Sequence, residues 1–386
     1  MRKSALFWFG LVVTALVALG LVVLSSASEA NAMRLHEDPY FFIKRQFAYL
    51  AVGIVVAVAA AMFDYRRWRD TEILTWLFFA VVMVLLVAVF GFRAINGSHR
   101  WIAVGPLRLQ PSEFAKLLTV ILLAVWLDKA SWKVELFWRG AFWPAALVGI
   151  VALPVLLEPD FGSVMVIGAA GFLLMFVGGT RILHMLPFLF AGVGVVVAKV
   201  LTNANRMARI AAFLGIKLNI GVEVVDAAAE RAAYQQKMAL AAIGNADIWG
   251  AGLGESMQKH LYLPEAHTDF IFAVGAEELG IVFSVSVVLL YLAFFALSVY
   301  IARKAQDRFG RFLVIGMSFI IFFQAMFNLG VVSGGLPTKG MALPFFSYGG
   351  TNMLSAFFAV GTILSVGIHT YREKKHALMR KVLLRS

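Results

Sequence analysis

Apolar residues run through this chain in ten stretches near membrane-crossing length, at about 5–27, 46–63, 72–92, 112–128, 140–157, 161–178, 183–201, 269–301, 310–333 and 343–369. A helix needs roughly 20 apolar residues to cross the hydrocarbon of a bilayer. Backbone groups there have no water to bond, so the stretches are expected as helices. Ten crossings return the chain to the side on which it began. The first stretch follows Arg2 and Lys3 and ends at Ser25-Ser26-Ala27, a passable signal-peptidase site. Its apolar core is about twice that of a signal peptide, so it reads as an anchor. The longest polar segment, 202–268, carries helical periodicity at Asn205 to Ile216 and Asp226 to Ala242. These fit helices lying on the membrane surface or folded over the bundle, with a plain solvated loop as the alternative.

Composition agrees with this pattern. Hydrophobic residues make up 61% of the 386, charged residues 15%, and the mean hydropathy is +0.84. A soluble domain carries roughly 45–50% apolar and 25% charged residues. The expected fold class is therefore an all-α polytopic membrane protein of ten transmembrane helices with a large extracytoplasmic loop between helices 7 and 8. Nothing marks a linker or an internal repeat, so 1–386 reads as one membrane domain ending in a basic tail at about 370–386. The chain has no cysteine, which excludes disulfides, thiolate metal sites and cysteine nucleophiles. The histidines lack metal-ligand spacing.

Charge sets the orientation. The side holding the termini takes 19 of the 34 basic residues but only 7 of the 22 acidic ones. The positive-inside rule places that side, with both termini, in the cytoplasm. The basic tail suits anionic lipid headgroups, and no nucleic-acid motif accompanies it. The opposite face carries the long polar segments: Ser25 to Arg45, Arg93 to Pro111, Thr202 to Thr268 and Ser333 to Leu343.

Candidate chemistry lies at that outer face. Glu113 and Lys116 share a helical face in Gln110-Pro-Ser-Glu-Phe-Ala-Lys116, where Pro111 suits a first helical turn. They read equally as a structural ion pair or as part of a polar cavity, and Arg108 makes the cluster net positive. Asp269 enters an apolar run behind Glu265, His267 and Thr268; taken alone, it reads first as a helix cap and only second as a functional carboxylate. Glu277 and Glu278 read as structural. Gly334 to Gly340, with Lys339, and Ser347-Tyr348-Gly349-Gly350 break the helix where backbone donors and an ammonium suit phosphate oxygens, unless they form only a turn. Gly250-Ala-Gly-Leu-Gly254 follows no strand and is discounted as a nucleotide motif.

Arg108-Leu-Gln-Pro-Ser-Glu-Phe-Ala-Lys116, Glu158-Pro-Asp-Phe-Gly-Ser163, Pro264-Glu-Ala-His-Thr-Asp-Phe-Ile-Phe272, Glu277-Glu-Leu-Gly280 and Ser347-Tyr-Gly-Gly350, in this order, closely resemble the SEDS family of bacterial peptidoglycan polymerases. Asp38 to Gln46 and Leu336-Pro-Thr-Lys-Gly340 resemble its cell-division branch more than its elongation branch. Thr351-Asn352 departs from the pair of serines common there. The resemblance implies an inverting glycosyltransferase that polymerises lipid II on the outer face of the cytoplasmic membrane and releases undecaprenyl pyrophosphate. It implies Asp269 as the catalytic base. Substrate and pyrophosphate contacts would come from Arg108, Glu113, Lys116, Lys339, Glu265, His267, Thr268, Ser347, Tyr348, Gly349 and Gly350. Lys116 is also expected to pair with Asp269 and keep it ionised. The implied partners are lipid II, a class B penicillin-binding transpeptidase, other divisome proteins and membrane lipids, without nucleic acid. No cofactor is required, and a divalent cation at the pyrophosphate is compatible with the chemistry. The competing readings are a lipid II flippase and a non-enzymatic divisome scaffold.

Overall fold

A computed structural model describes all residues except 1–2, 94–98, 106, 131–132, 215–222, 258–262, 264 and 384–386. Its helices are α1 (Lys3–His36), α2 (Phe41–Met62), α3 (Arg67–Asp70), α4 (Glu72–Ala88), α5 (Pro111–Lys129), α6 (Trp143–Leu157), α7 (Phe161–Gly178), α8 (Ile182–Leu201), α9 (Ala204–Leu214), α10 (Glu223–Gly244), α11 (Ile271–Lys304), α12 (Arg308–Val332) and α13 (Gly350–Leu383). A short antiparallel hairpin, β1 (Ile102–Val104) and β2 (Leu107–Leu109), stands before α5 and pairs Ala103 with Arg108. The chain is an all-α polytopic membrane protein.

Nine helices among the described residues are long and apolar enough to cross a membrane. The expected fourth crossing, α5, has 19 residues but carries Glu113, Lys116, Asp128 and Lys129, so composition alone does not qualify it. Instead α5 is largely enclosed, with 14 of its 19 residues buried, between α4, α6, α7 and α12. The outer helices show lipid-facing apolar surface, and α8 buries only Met185. Both loop helices occur where periodicity places them, at Ala204–Leu214 and Glu223–Gly244.

One end of the bundle is fastened by ions. Arg66 pairs with Asp307 at 3.5 Å and with Glu373, Arg69 with Asp128 at 3.5 Å, and Lys129 with Glu72 at 2.5 Å. All of these residues belong to the end that the charge count groups with the termini.

The other end holds a bend. Within α11, Gly280 has φ 76° and ψ −167°, breaking the helix. At 1.5 Å per residue, Ser26 lies roughly 35 Å along α1 from Lys3, and Asn328 roughly 30 Å along α12 from Arg308. Ser26 bonds Glu278, and Asn328 bonds the carbonyl of Asp269. Ser26 and Asn328 thus bring Glu278 and Asp269 to nearly one level, at the end of the bundle opposite the ion-paired one.

Candidate active site

Beneath that level opens a cavity of about 880 Å³, lined by α5, α7, α9, α12 and the loops before α5, α11 and α13. Its floor is a closed polar network. The Lys116 ammonium donates to Glu113 Oε1 at 2.7 Å and to Gln324 Oε1 at 2.8 Å. The other Glu113 oxygen accepts from Ser355 at 2.7 Å and Asn352 at 3.4 Å. Both charges are buried and satisfied within the protein. Lys116 is therefore held by Glu113 and Gln324, and the expected pairing of Lys116 with Asp269 is not made among the described residues.

Asp269 is set by its backbone. The carbonyls of His267, Thr268 and Asp269 accept, in turn, from the Tyr348 N–H at 3.1 Å, Ser347 Oγ at 2.5 Å and Asn328 Nδ2 at 2.7 Å. Asn328 also donates to Met341 O at 2.6 Å. One turn earlier on α12, Gln324 donates to Ala342 O at 3.0 Å. Two amides at i and i+4 thus stitch the 267–269 segment, the floor and the 339–343 loop together. Three consecutive carbonyls are fixed, yet the Asp269 side chain faces the cavity. It caps nothing, since α11 starts after Phe270 without a side-chain cap. Gly340 packs so tightly here that a Cβ would come within 2.5 Å of Asp269 Oδ2. Burial, then the negative Glu265, push the Asp269 carboxyl up to about 7, against the pull of Arg100 and Arg209.

The cavity rim is cationic. Arg100, Arg206, Arg209 and Lys339 line it around Asp160, Glu265 and Asp269. Asp160 caps α7 and accepts from Ser163 Oγ at 2.8 Å, Ser112 Oγ at 2.9 Å and Gln110 Nε2 at 3.0 Å. Burial alone raises its pKa, but Arg100, Lys339 and the two serines outweigh that and hold it below the ordinary aspartate value. The Arg206 guanidinium lies 4.0 Å over the Phe161 ring, with the Lys339 ammonium 5.6 Å from the same ring. Burial, reinforced by the three arginines, pulls the Lys339 ammonium down to about 7, although Asp160 opposes this.

The structure distributes the sequence candidates unevenly. Glu113, Lys116, Lys339, Glu265, Thr268, Asp269, Tyr348 and Gly349 line the cavity. Arg108 sits exposed on β2, outside it, and its carbonyl accepts from Thr351 at 3.1 Å. His267 turns away to stack on Phe42 at 4.7 Å. Ser347 is used as a brace, and Gly350 packs on the Tyr49 ring. Gln46 pins Ser347 and Gly349 through its side-chain amide. Pro264 lies outside the described residues. Sequence reading missed Arg100, Asp160, Arg206, Arg209, Gln324 and Asn328. The signals were present: Asp160 stands in a quoted motif, Arg206 and Arg209 share one face of an amphipathic helix, and Gln324 and Asn328 are amides spaced by four in an apolar run.

Residues 6–372 match the model of the FtsW/RodA/SpoVE family, described as cell cycle proteins. A probable peptidoglycan glycosyltransferase FtsW from Trichlorobacter lovleyi is 37% identical over 361 residues, covering 92% of this chain and 91% of the relative. A chain from a peptidoglycan synthase complex, solved to show structural coordination of polymerization and crosslinking, superposes with a TM-score of 0.74 at 28% identity, covering 94% of this chain and 97% of its own. The rod shape determining protein RodA of Thermus thermophilus superposes at 0.69 with 27% identity, covering 94% and 96%. With the match running nearly end to end, the chain belongs to the FtsW/RodA/SpoVE family of cell cycle proteins.

Proposed function

We propose that this chain, a glycosyltransferase by its family, polymerises lipid II at the outer face of the cytoplasmic membrane for septal wall synthesis, beside a class B penicillin-binding transpeptidase. The observation that carries this reading is the Asp269 carboxylate: fixed through three backbone carbonyls, free of any capping bond, and poised near neutrality. A general base works best with a pKa near the operating pH. The ionised carboxylate takes the proton from the 4-hydroxyl of the acceptor GlcNAc as that oxygen attacks C1 of the donor MurNAc. The bond from C1 to the pyrophosphate oxygen breaks on the opposite face, C1 inverts, and the electron pair leaves with the undecaprenyl pyrophosphate. Arg100, Arg206 and Lys339 stand where that leaving charge develops. Phe161 and the apolar wall of α8 at Val196 and Val200 offer the lipid chain a path.

The charges gather at one end of the bundle instead of spreading through its depth, which favours polymerisation over transport. The test is reconstitution with a transpeptidase partner in proteoliposomes supplied with lipid II, with glycan resolved on gels. Asp269→Asn should lower turnover by about 10²–10⁴-fold while the protein stays monodisperse. Polymerisation by Asp269→Asn at the wild-type rate would overturn the assignment.

A further inference from the structure

Residues 247–256 do not float above the bundle; they are built into the bend of α11. The Ala251 N–H donates to Glu277 O at 2.9 Å, Gly252 N–H to Glu278 O at 3.0 Å, and Ile281 N–H back to Asp247 O at 3.1 Å. Gly250 and Gly280, both at φ 76°, interlock: a Cβ on Gly280 would come within 2.4 Å of Ile248 O, and one on Gly250 within 2.3 Å of Glu278 O. Ser256 completes the attachment by donating to Glu277. A segment pinned this firmly by backbone bonds would be expected to bury its large apolar side chains. Instead Ile248 is 62% exposed, Trp249 76%, Leu253 52% and Met257 69%.

Their position names what covers them. The attachment lies at Glu277 to Val282, the level that Ser26 sets at roughly 35 Å along α1, just beyond about 30 Å of hydrocarbon. Tryptophan favours that boundary, where its ring is apolar and its N–H stays wet. From Gly280 the exposed apolar patch runs without a break onto Ile281, Val282 and Val285 of α11, the face of a membrane-crossing helix. We propose that residues 247–257 form a membrane foot, which seats Ile248, Trp249, Leu253 and Met257 at the headgroup–acyl boundary of the leaflet at the cavity end. Lipid, continuous with the lipid already against α11, is the occupant. The foot bonds directly to the segment 269–279, so it sets the height of Asp269 against the bilayer.

The absence of cysteine allows a direct test. Trp249→Cys and, separately, Leu253→Cys carry a nitroxide in proteoliposomes of phosphatidylethanolamine and phosphatidylglycerol. Collisions with oxygen, which partitions into lipid, are compared with collisions with a water-soluble nickel chelate. Val285→Cys is the lipid-facing reference and Glu230→Cys, exposed on α10, the aqueous one. Both foot labels are expected to favour oxygen several-fold over the Glu230 label and to approach the Val285 label. Foot labels as open to the nickel chelate as Glu230 would overturn the proposal. So would foot labels shielded from both reagents only when a transpeptidase is present, which would make this surface a protein interface. Both substituted side chains are exposed, so folding is not at stake, and monodisperse elution checks it.

Discussion

The floor and the rim of the cavity treat charge in opposite ways. On the floor, Lys116 and Glu113 are buried and answer each other, with further hydrogen bonds to Gln324, Ser355 and Asn352. On the rim, Arg100, Arg206, Arg209 and Lys339 crowd together so closely that burial and mutual repulsion draw the Arg206 and Lys339 pKa values down. The floor network holds shape, because its two charges are already answered within the protein. A crowded cationic rim gains by receiving an anion. Of the two sequence readings of Glu113 and Lys116, the structural ion pair is the one their bonds support, while the cationic rim combines Lys339, a candidate from the sequence, with Arg100, Arg206 and Arg209, which the sequence does not single out.

The largest effect should come from breaking the floor. Lys116→Ala leaves the Glu113 carboxylate buried and uncompensated, which typically costs about 3–5 kcal/mol. Thermal unfolding in detergent should drop markedly, and Glu113→Gln combined with Lys116→Met should recover most of the loss. A Lys116→Ala protein that unfolds at the wild-type temperature would remove the distinction between floor and rim. Gly340→Ala should act next. Its methyl displaces the Asp269 carboxylate without touching either network, and a misplacement near 1 Å costs about 10²-fold in turnover. Stability should hold while kcat falls, and an unchanged kcat would show that Asp269 has room to move.

The rim is then sharpened by pairing two arginines. A hydrogen bond to a charged group is worth about 1.5–3 kcal/mol, so Arg100→Ala should lower kcat/KM by roughly 10–100-fold. Arg108→Ala, removed from the cavity by the hairpin, should leave it near the wild-type value. Equal losses would return Arg108 to the site.

How much of this was legible follows from the same contrast. Apolar runs set the helices, since nothing else satisfies a backbone in lipid, and helical periodicity placed α9 and α10 within two or three residues. Asp269 could be located because a carboxylate entering an apolar run is costly. Its surroundings could not be read locally. Arg108 lies in the three-residue strand β2, paired with Ala103, and is exposed, whereas Arg100 precedes the hairpin and lines the cavity; so short a segment carries no periodic pattern that separates the two. Lys116 pairs with Glu113, as their spacing of three predicts, but its second partner is Gln324 and not Asp269: Gln324 lies 208 residues away, and an amide in an apolar helix carries no charge to advertise it. Gly250 to Gly254 read only as a discounted nucleotide motif, because glycines that interlock with a residue distant in sequence, as Gly250 does with Gly280, give no periodic signal.

The smallest effect concerns pH and separates the two groups poised near neutrality. As the proposed base, Asp269 works only when ionised, and its carboxyl stands at about 7 because burial and Glu265 disfavour the charge; kcat/KM should therefore rise with pH through that value. As a proposed pyrophosphate contact, Lys339 works only when protonated, and its ammonium also stands at about 7 because burial and the rim arginines disfavour its charge; kcat/KM should fall above it. The product is a narrow bell centred near pH 7, whose limbs are macroscopic values of the pair. Lys339→Arg keeps the charge at every working pH, so the alkaline limb should recede while the acid limb stays. Glu265→Gln removes the negative neighbour of Asp269, so the acid limb should move down while the alkaline limb stays. Pre-steady-state rates across pH 5.5 to 9 would read both shifts. An alkaline limb that survives in Lys339→Arg would place that proton elsewhere on the rim, and an acid limb unmoved in Glu265→Gln would leave burial alone as the cause of the raised carboxyl.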